Sequence, residues 1–404
     1  MGLAYRFEKT PTTSARQVLV DVSVIVHNDA RTGIQRVVRA LLGQLTKSEI
    51  PGVLIQPVFA SRDHGYCKAV LLPDGRIVNA SRAKRGRQPV VARPNDVFLG
   101  LDLCAHLLPH VEADLAGWRQ QGVSINILVY DMLPVMREDW FPARTTRNFR
   151  RWLGVLARQA DRCICISQTV ALALTPVLKA RGAGRLPEIS AIPMGADLAA
   201  SYPSRGLPAD FASIREWLRS YQVILSVGTI EPRKGHQQLL AALSLYWQSN
   251  PGGRIALLIV GRPGWKTAML KQQLRDHPEQ GQRLLWLEDA SDELLSELYS
   301  SAAGLVAASH GEGFGLPLVE ALAHGTPVLA RDLPVFREVG GTSFDYFTDD
   351  SPEPLLARIQ AWLTSAKRPT EETMAALPRW ADSAAALCDR LGVLADLKER
   401  GAGA

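Results

Sequence analysis

The chain has 404 residues, 47% of them hydrophobic and 21% charged, with five cysteines. It is too long for one ordinary core and contains no run of ~18 apolar residues to span a membrane, no signal-peptide apolar block and no regular cysteine framework, so two cytoplasmic domains of ~200 residues are expected. The net charge of +6 is uneven: residues 1–200 carry 26 Lys+Arg against 16 Asp+Glu (+10), and residues 201–404 carry 20 against 24 (−4). Only the first half is therefore suited to an anionic surface, whether membrane phosphate, a lipid diphosphate or nucleic acid.

In chain order, apolar runs alternate with helix-like segments, the pattern of a parallel α/β sheet. Val18–Val22 reads as a first strand, the polar loop Asn28–Gly33 as its exit, and Ile34 to about Leu45 as a helix. Val97–Leu99, Ile125–Tyr130 and Cys163–Ser167 read as further strands. Cys163 and Cys165 alternate, so they face one side of a buried strand, a packing role favoured over a redox or metal role. Ala199–Asp210 is rich in Pro, Gly and Ser and reads as the interdomain linker. A second series follows: Val223–Val227, Ile255–Val260, Arg283–Leu287, Gly304–Ala308 and Pro327–Ala330. The end, Trp380 to about Lys398, reads as an amphipathic helix with Leu387, Leu391 and Leu394 on its apolar side.

Two stretches carry chemistry. Glu312-Gly313-Phe314-Gly315-Leu316-Pro317-Leu318-Val319-Glu320 sets two carboxylates eight positions apart around a Gly-rich turn that opens a helix. Gly313 and Gly315 permit close backbone approach, Pro317 suits a first helical turn, and the free N–H groups seat an anion. Two hydroxyl-binding carboxylates beside an anion site suit a sugar nucleotide. Upstream, a strand ends at Gly228 and the next turn offers Arg233-Lys234. Alone, that pair reads as a solvated turn. With the glutamates about 80 residues later at the same sheet edge, it reads as a diphosphate clamp, a bidentate fork beside a point charge.

Gly228-Thr229-Ile230-Glu231-Pro232-Arg233-Lys234-Gly235, Val260-Gly261-Arg262-Pro263-Gly264-Trp265-Lys266 and Glu312–Glu320 resemble, in order and spacing, the retaining glycosyltransferases of the GT-B fold, family 4. Leu19–Ser23 and Arg31-Thr32-Gly33-Ile34-Gln35-Arg36 resemble a subgroup building bacterial O-antigens and other surface polysaccharides, among them mannosyl- and rhamnosyltransferases using GDP-sugars. The resemblance implies two Rossmann-like α/β domains facing across a cleft: residues 1–200 on the acceptor side, 221–378 for the nucleotide sugar, and a terminal helix, 379–404, crossing back. It implies that Arg233 and Lys234 bind the donor diphosphate, Glu312 lies near the transferred sugar, Glu320 holds the ribose, and the Gly313-Phe314-Gly315-Leu316 backbone and Gly228 lie against the donor. Gly33 would let the phosphates close on the first domain. The expected activity is transfer of a hexose, best mannose from GDP-mannose, to a lipid-linked polysaccharide, with a UDP-sugar or GDP-rhamnose donor or a catalytically silent assembly subunit as alternatives.

No two aspartates are separated by one residue, so a DxD metal motif is lacking; no catalytic metal or cofactor is expected, and neutralisation falls to Arg233, Lys234 and backbone dipoles. Many relatives place a His after the strand matching Ile125–Tyr130; here Tyr130 stands there, followed by Asp131, which reads equally as a sugar or acceptor ligand and as a turn cap. His106 and His110 follow another strand and are weaker cleft candidates. Arg144, Arg147, Arg151, Arg158 and Arg162 fall on one stripe of a predicted helix, opposite Phe149, Trp152, Leu153 and Leu156. With Arg82-Ala83-Lys84-Arg85-Gly86-Arg87 they suit peripheral docking on an anionic inner leaflet. Nucleic-acid binding is disfavoured, because aromatic and basic residues are not interleaved.

Overall fold

The computed structural model describes residues 15–80, 88–182, 185–198 and 205–394. The basic run Arg82–Arg87, the linker's first half (199–204) and the chain after Leu394 lie outside the described residues.

Two sheets organise the chain. The first has eight strands: β1 (Arg16–Asp21), β2 (Val53–Ser61), β3 (Gly65–Leu71), β4 (Ile77–Asn79), β5 (Val97–Gly100), β6 (Ser124–Val129), β7 (Arg162–Cys165) and β8 (Glu188–Ala191), in the order β4-β3-β2-β1-β5-β6-β7-β8. β3 and β4 are antiparallel additions at one edge, and the other pairings are parallel. The second has six: β9 (Gln222–Val227), β10 (Ile255–Val260), β11 (Leu284–Leu287), β12 (Gly304–Ala307), β13 (Val328–Arg331) and β14 (Asp345–Phe347), in the order β11-β10-β9-β12-β13-β14, all parallel. The chain has the GT-B architecture of two Rossmann-like lobes.

Both faces of each sheet are covered. Side chains alternate along β1, so Val18 and Val20 enter one core while Leu19 enters the other. Cys163 and Cys165 share the second of these cores; all five cysteines are free and buried, and burial pushes the Cys165 thiol up to about 12. The second sheet is likewise sandwiched, with Trp362 fully buried on one face and Tyr299 on the other. The helix Trp380–Arg390 packs on the helix Gly33–Lys47, and Trp380, Leu387 and Cys388 join the first lobe's core. After the second lobe the described chain therefore returns to the first.

The helix carrying the arginine stripe spans Ala143–Gln159. Arg162 is not on it: that residue lies in β7, where its guanidinium pairs with Glu188. Among the described residues no helix is long and apolar enough to cross a membrane.

Candidate functional site

The residues singled out in the second lobe lie in loops at the carboxyl ends of its strands, where a parallel α/β sheet offers its ligand crevice. After β9 the chain turns through Pro232–Lys234; after β12 it forms the loop leading to the helix Leu316–Ala323. Gly315 caps that helix at φ 103°, in the left-handed region that glycine adopts without penalty. Glu312 therefore stays in the loop, and Glu320 falls one turn inside the helix.

Glu312 is the hub. Its Oε2 accepts from Arg233 Nη1 at 2.6 Å, and its Oε1 accepts from Lys234 Nζ at 2.6 Å and Ser309 Oγ at 2.8 Å. Burial works against its charge, but Arg233 and Lys234 outweigh burial and hold the carboxyl at about 2. Glu231, missed in the sequence reading although it stands in the quoted motif, braces the far side of the same guanidinium, Oε1 to Nη2 at 2.8 Å. Burial raises the proton affinity of both Glu231 and Asp131 despite Arg233. The buried Glu231 Oε2 and Arg233 Nε have no hydrogen-bond partner. Two cations are thus held against the carboxylates of Glu312 and Glu231, with unpaired polar atoms beside them.

Gly228, at the end of β9, lies against the Lys234 stem: a Cβ there would meet Cε at 3.2 Å. The buried His236 holds this turn, its Nε2 3.2 Å from the Gly228 carbonyl and its Nδ1 3.3 Å from Ser226 Oγ. Burial, then Lys234, lowers its proton affinity to about 4.

Glu320 is only 2% exposed. Its Oε2 accepts from Tyr299 Oη at 2.9 Å, and its Oε1 accepts from Arg36 of the first lobe at 2.6 Å. The other Arg36 nitrogen reaches Asp292 at 2.6 Å. Arg36, Asp292 and Tyr299 escaped the sequence reading; Arg36 alone had a trace there, standing three residues after Gly33. Gly33 itself begins its helix behind the Thr32–Gln35 capping box, and a Cβ there would meet nothing within 4 Å.

The lobes touch directly at the loop. A Cβ on Gly313 would lie 1.9 Å from the Tyr130 carbonyl oxygen, and Ser167 Oγ donates to the Gly313 carbonyl at 2.7 Å. Phe314 and Leu316 pack on the first lobe's core. Trp265 Nε1 donates to the Trp140 carbonyl at 2.9 Å, and Lys266 Nζ to the Asp139 carbonyl at 2.8 Å. The cavity beside Lys234, His236 and Glu312 measures about 10 Å³, room for one water and not for a sugar. That cavity lies within the second lobe, and the two lobes are closed on one another at the Gly313 and Trp265 contacts.

Tyr130 does not take the place of the His found in relatives. Its ring is 3% exposed within the first core, its hydroxyl donates to the Leu101 carbonyl at 2.6 Å, and only its backbone faces the cleft. Asp131 serves as the turn cap, its Oδ1 accepting from Leu133 N at 3.0 Å, and its carboxyl lies in the field of Arg233, Glu312 and Lys234. His106 and His110 are exposed, on the first lobe and outside this cluster.

Residues 213–376 match the family described as glycosyl transferases group 1. The chain is 36% identical over 403 residues to the Escherichia coli serotype-specific mannosyltransferase WbdA, a match covering 98% of this chain and 49% of that protein. It is 34% identical over 143 residues to the Escherichia coli O-antigen chain mannosyltransferase B, covering 33% of this chain and 36% of that one. The chain thus spans about half the length, or less, of these relatives. Among solved structures, the Thermosynechococcus elongatus sucrose-phosphate synthase aligns with a TM-score of 0.60 at 16% identity, over 96% of this chain and 98% of that one; at that identity the likeness speaks to fold. The second lobe thus matches the glycosyl transferases group 1 family model, and the chain as a whole has the GT-B fold.

Proposed function

We propose that the chain is a retaining hexosyltransferase that moves mannose from GDP-mannose to a lipid-linked, growing bacterial surface polysaccharide such as an O-antigen. One observation carries this reading: Arg233 and Lys234 converge on Glu312 at 2.6 Å each, with a second buried carboxylate, Glu320, on the adjoining helix. The names of the mannosyltransferase relatives support the choice of sugar.

Chemically, loss of a nucleoside diphosphate leaves an oxocarbenium-like sugar, and charge separation dominates the barrier. Fixed cations aimed at the leaving diphosphate lower it. On this reading the donor diphosphate replaces Glu312 as the partner of Arg233 and Lys234, while Gly228 and the Gly313–Leu316 backbone lie along it and Gly33 faces it from the first lobe. Glu312, released, turns to the sugar hydroxyls, and Glu320 exchanges Arg36 for the ribose. The acceptor hydroxyl attacks from the face the diphosphate leaves, its proton passes to the leaving phosphate, and Asp131 orients the acceptor. No protein nucleophile and no metal are assigned, since the cations and helix-terminal N–H groups supply the neutralising charge.

Arg144, Arg147 and Arg151 are exposed and make no ion pair among the described residues, whereas Arg158 is tied to Glu112 at 2.7 Å. We assign the first three to peripheral contact with an anionic membrane, where a lipid-linked acceptor resides. The test is a thermal-shift panel of GDP, UDP, ADP and CDP, followed by transfer from the preferred nucleotide sugar in wild type, Lys234→Ala and Glu312→Ala. Ligand binding raises stability as RT ln(1 + [L]/Kd), so a GDP preference is expected, with transfer abolished in both variants. A UDP preference overturns the GDP-mannose assignment, and unchanged turnover in both variants overturns the enzyme reading.

A further inference from the structure

We propose that Glu231 is a positioning residue of the donor site: it holds the Arg233 guanidinium from behind, so that this cation keeps its place when the donor diphosphate takes over from Glu312. The inference rests on the transferase reading above and adds to it the residue that keeps the leaving-group cation fixed.

Glu231 stands on a firm base. Ile230, before it, donates from N to the Arg262 carbonyl at 2.9 Å, and its own carbonyl accepts from Gly264 N at 2.9 Å and Thr267 Oγ1 at 3.1 Å. These bonds tie the loop after β9 to the loop after β10, extending their parallel pairing to an isolated bridge between Ile230 and Pro263. Glu231 continues this extended backbone, with φ −145° and ψ 157°, and is 3% exposed. From there it grips both cations. Its carbonyl accepts from Lys234 N at 3.1 Å, and its Oε1 accepts from Arg233 Nη2 at 2.8 Å.

The partners of Arg233 differ in permanence. Nη1 donates to the Gly311 carbonyl at 2.9 Å and to Glu312 at 2.6 Å. In the proposed function Glu312 yields its place to the diphosphate, and Glu231 is then the one carboxylate still bonded to the guanidinium. Among the described residues no third acid pairs with Arg233; Asp131 caps Leu133 N instead. Without Glu231 the long arginine stem would regain its rotamer freedom at the moment its other carboxylate leaves. The pair also has bonding capacity in reserve, since the buried Glu231 Oε2 and Arg233 Nε have no hydrogen-bond partner among the described residues. Nε shares an edge of the planar fork with Nη2, so a one-pronged pair becomes two-pronged when the guanidinium turns toward a new ligand. A second carboxylate on this cation opposes an arriving diphosphate and costs affinity. What it supplies is a cation held where charge develops on the leaving oxygen, and such preorganised charge lowers the barrier.

The test separates reach from charge. Glu231→Asp keeps the charge and shortens the reach, whereas Glu231→Gln keeps the reach and an acceptor for Nη2 without the charge. Each is made in wild type and in Arg233→Ala, and read by single-turnover transfer from the preferred nucleotide sugar and by calorimetric titration of inorganic pyrophosphate. Glu231→Asp should slow transfer by roughly 10²-fold, the effect of an ångström-scale misplacement, with pyrophosphate affinity near that of wild type. Glu231→Gln should transfer faster than Glu231→Asp and bind pyrophosphate at least as tightly as wild type. In the Arg233→Ala background Glu231→Asp should cost no more than about twofold further, because the residue acts through Arg233. Losses that multiply in the double variant overturn the proposal. So does Glu231→Gln slower than Glu231→Asp, or a pyrophosphate affinity that falls as far as transfer. If wild type binds pyrophosphate and transfers while any of these holds, this inference alone falls; if wild type binds no pyrophosphate, the donor-site reading falls and takes it along.

Discussion

Arg36 of the first lobe donates to Glu320 of the second at 2.6 Å, and its other nitrogen reaches Asp292 at the same distance. Burial works against the charge on Arg36, and the two carboxylates more than restore it. This ion pair holds the closed lobes together by occupying the carboxylate proposed for the donor's ribose. Removing the guanidinium therefore lifts a competitor and loosens the closed state at once. When the competent state is only partly populated, apparent affinity falls by that fraction, so Arg36→Ala should bind GDP roughly 3- to 10-fold more tightly. Its radius of gyration without nucleotide, from small-angle scattering, should exceed that of wild type. Weaker GDP binding in Arg36→Ala would instead make Arg36 a donor ligand.

Closure has a second, steric determinant. A methyl group on Gly313 collides with the Tyr130 carbonyl, a contact between lobes and not within either. Gly313→Ala should leave each lobe folded, with a melting temperature within about 4 °C of wild type. Transfer should fall roughly 10²-fold, the effect of an ångström-scale misplacement of reacting groups, while GDP binding persists. Normal transfer in this variant would mean that the reactive state is more open than the one described.

Sequence and structure agree best where the physics is local. β9, β10 and β12 are aliphatic runs buried on both faces and stand within a residue of their expected limits. β2 went unread because Gln56 and Pro57 interrupt its apolar run, although β1 pairs along six of its nine residues. β14 has three residues, Asp345 to Phe347, and owes its pairing to β13. The convergence of Arg233, Lys234 and Glu312 was legible because each follows a strand that could be read. Arg36 and Asp292 were not, since their meeting with Glu320 depends on how the lobes pack. Tyr130 was misread because its position in the chain was visible while the direction of its ring, inward to Leu101, was not.

Glu312 separates binding from catalysis. Glu312 is counter-ion to Arg233 and Lys234; in the proposed function it competes there with the diphosphate and serves transfer as the carboxylate beside the sugar. Glu312→Gln removes the competing charge while preserving shape, so GDP affinity should hold or improve. The transfer rate should fall by roughly 10² or more, in the range for loss of one preorganised electrostatic group. Isothermal titration and single-turnover transfer on the same preparation check both halves. A parallel loss of GDP affinity would show that Glu312 positions the cations more than it opposes the ligand.

His236 predicts how stability at the site responds to acid. Its folded proton affinity lies at about 4, below the usual 6.5. Between those values the unfolded chain binds the proton and the folded one does not, so this contribution is complete above pH 6.5 and is lost as pH falls toward 4. Asp102 acts in the opposite sense: burial raises its carboxyl to about 7, so its contribution is lost as pH rises. Raw stability profiles therefore mix opposing slopes, and the informative quantity is wild type minus His236→Gln. Measured by urea unfolding at pH 4.5, 5.5, 6.5 and 7.5, that difference should grow with pH by about 3 kcal/mol in all and level off above pH 6.5. A difference independent of pH would mean that the imidazole titrates alike in the folded and unfolded chain, and one that falls as pH rises would mean that it is protonated in the fold, donating from both nitrogens to Gly228 and Ser226.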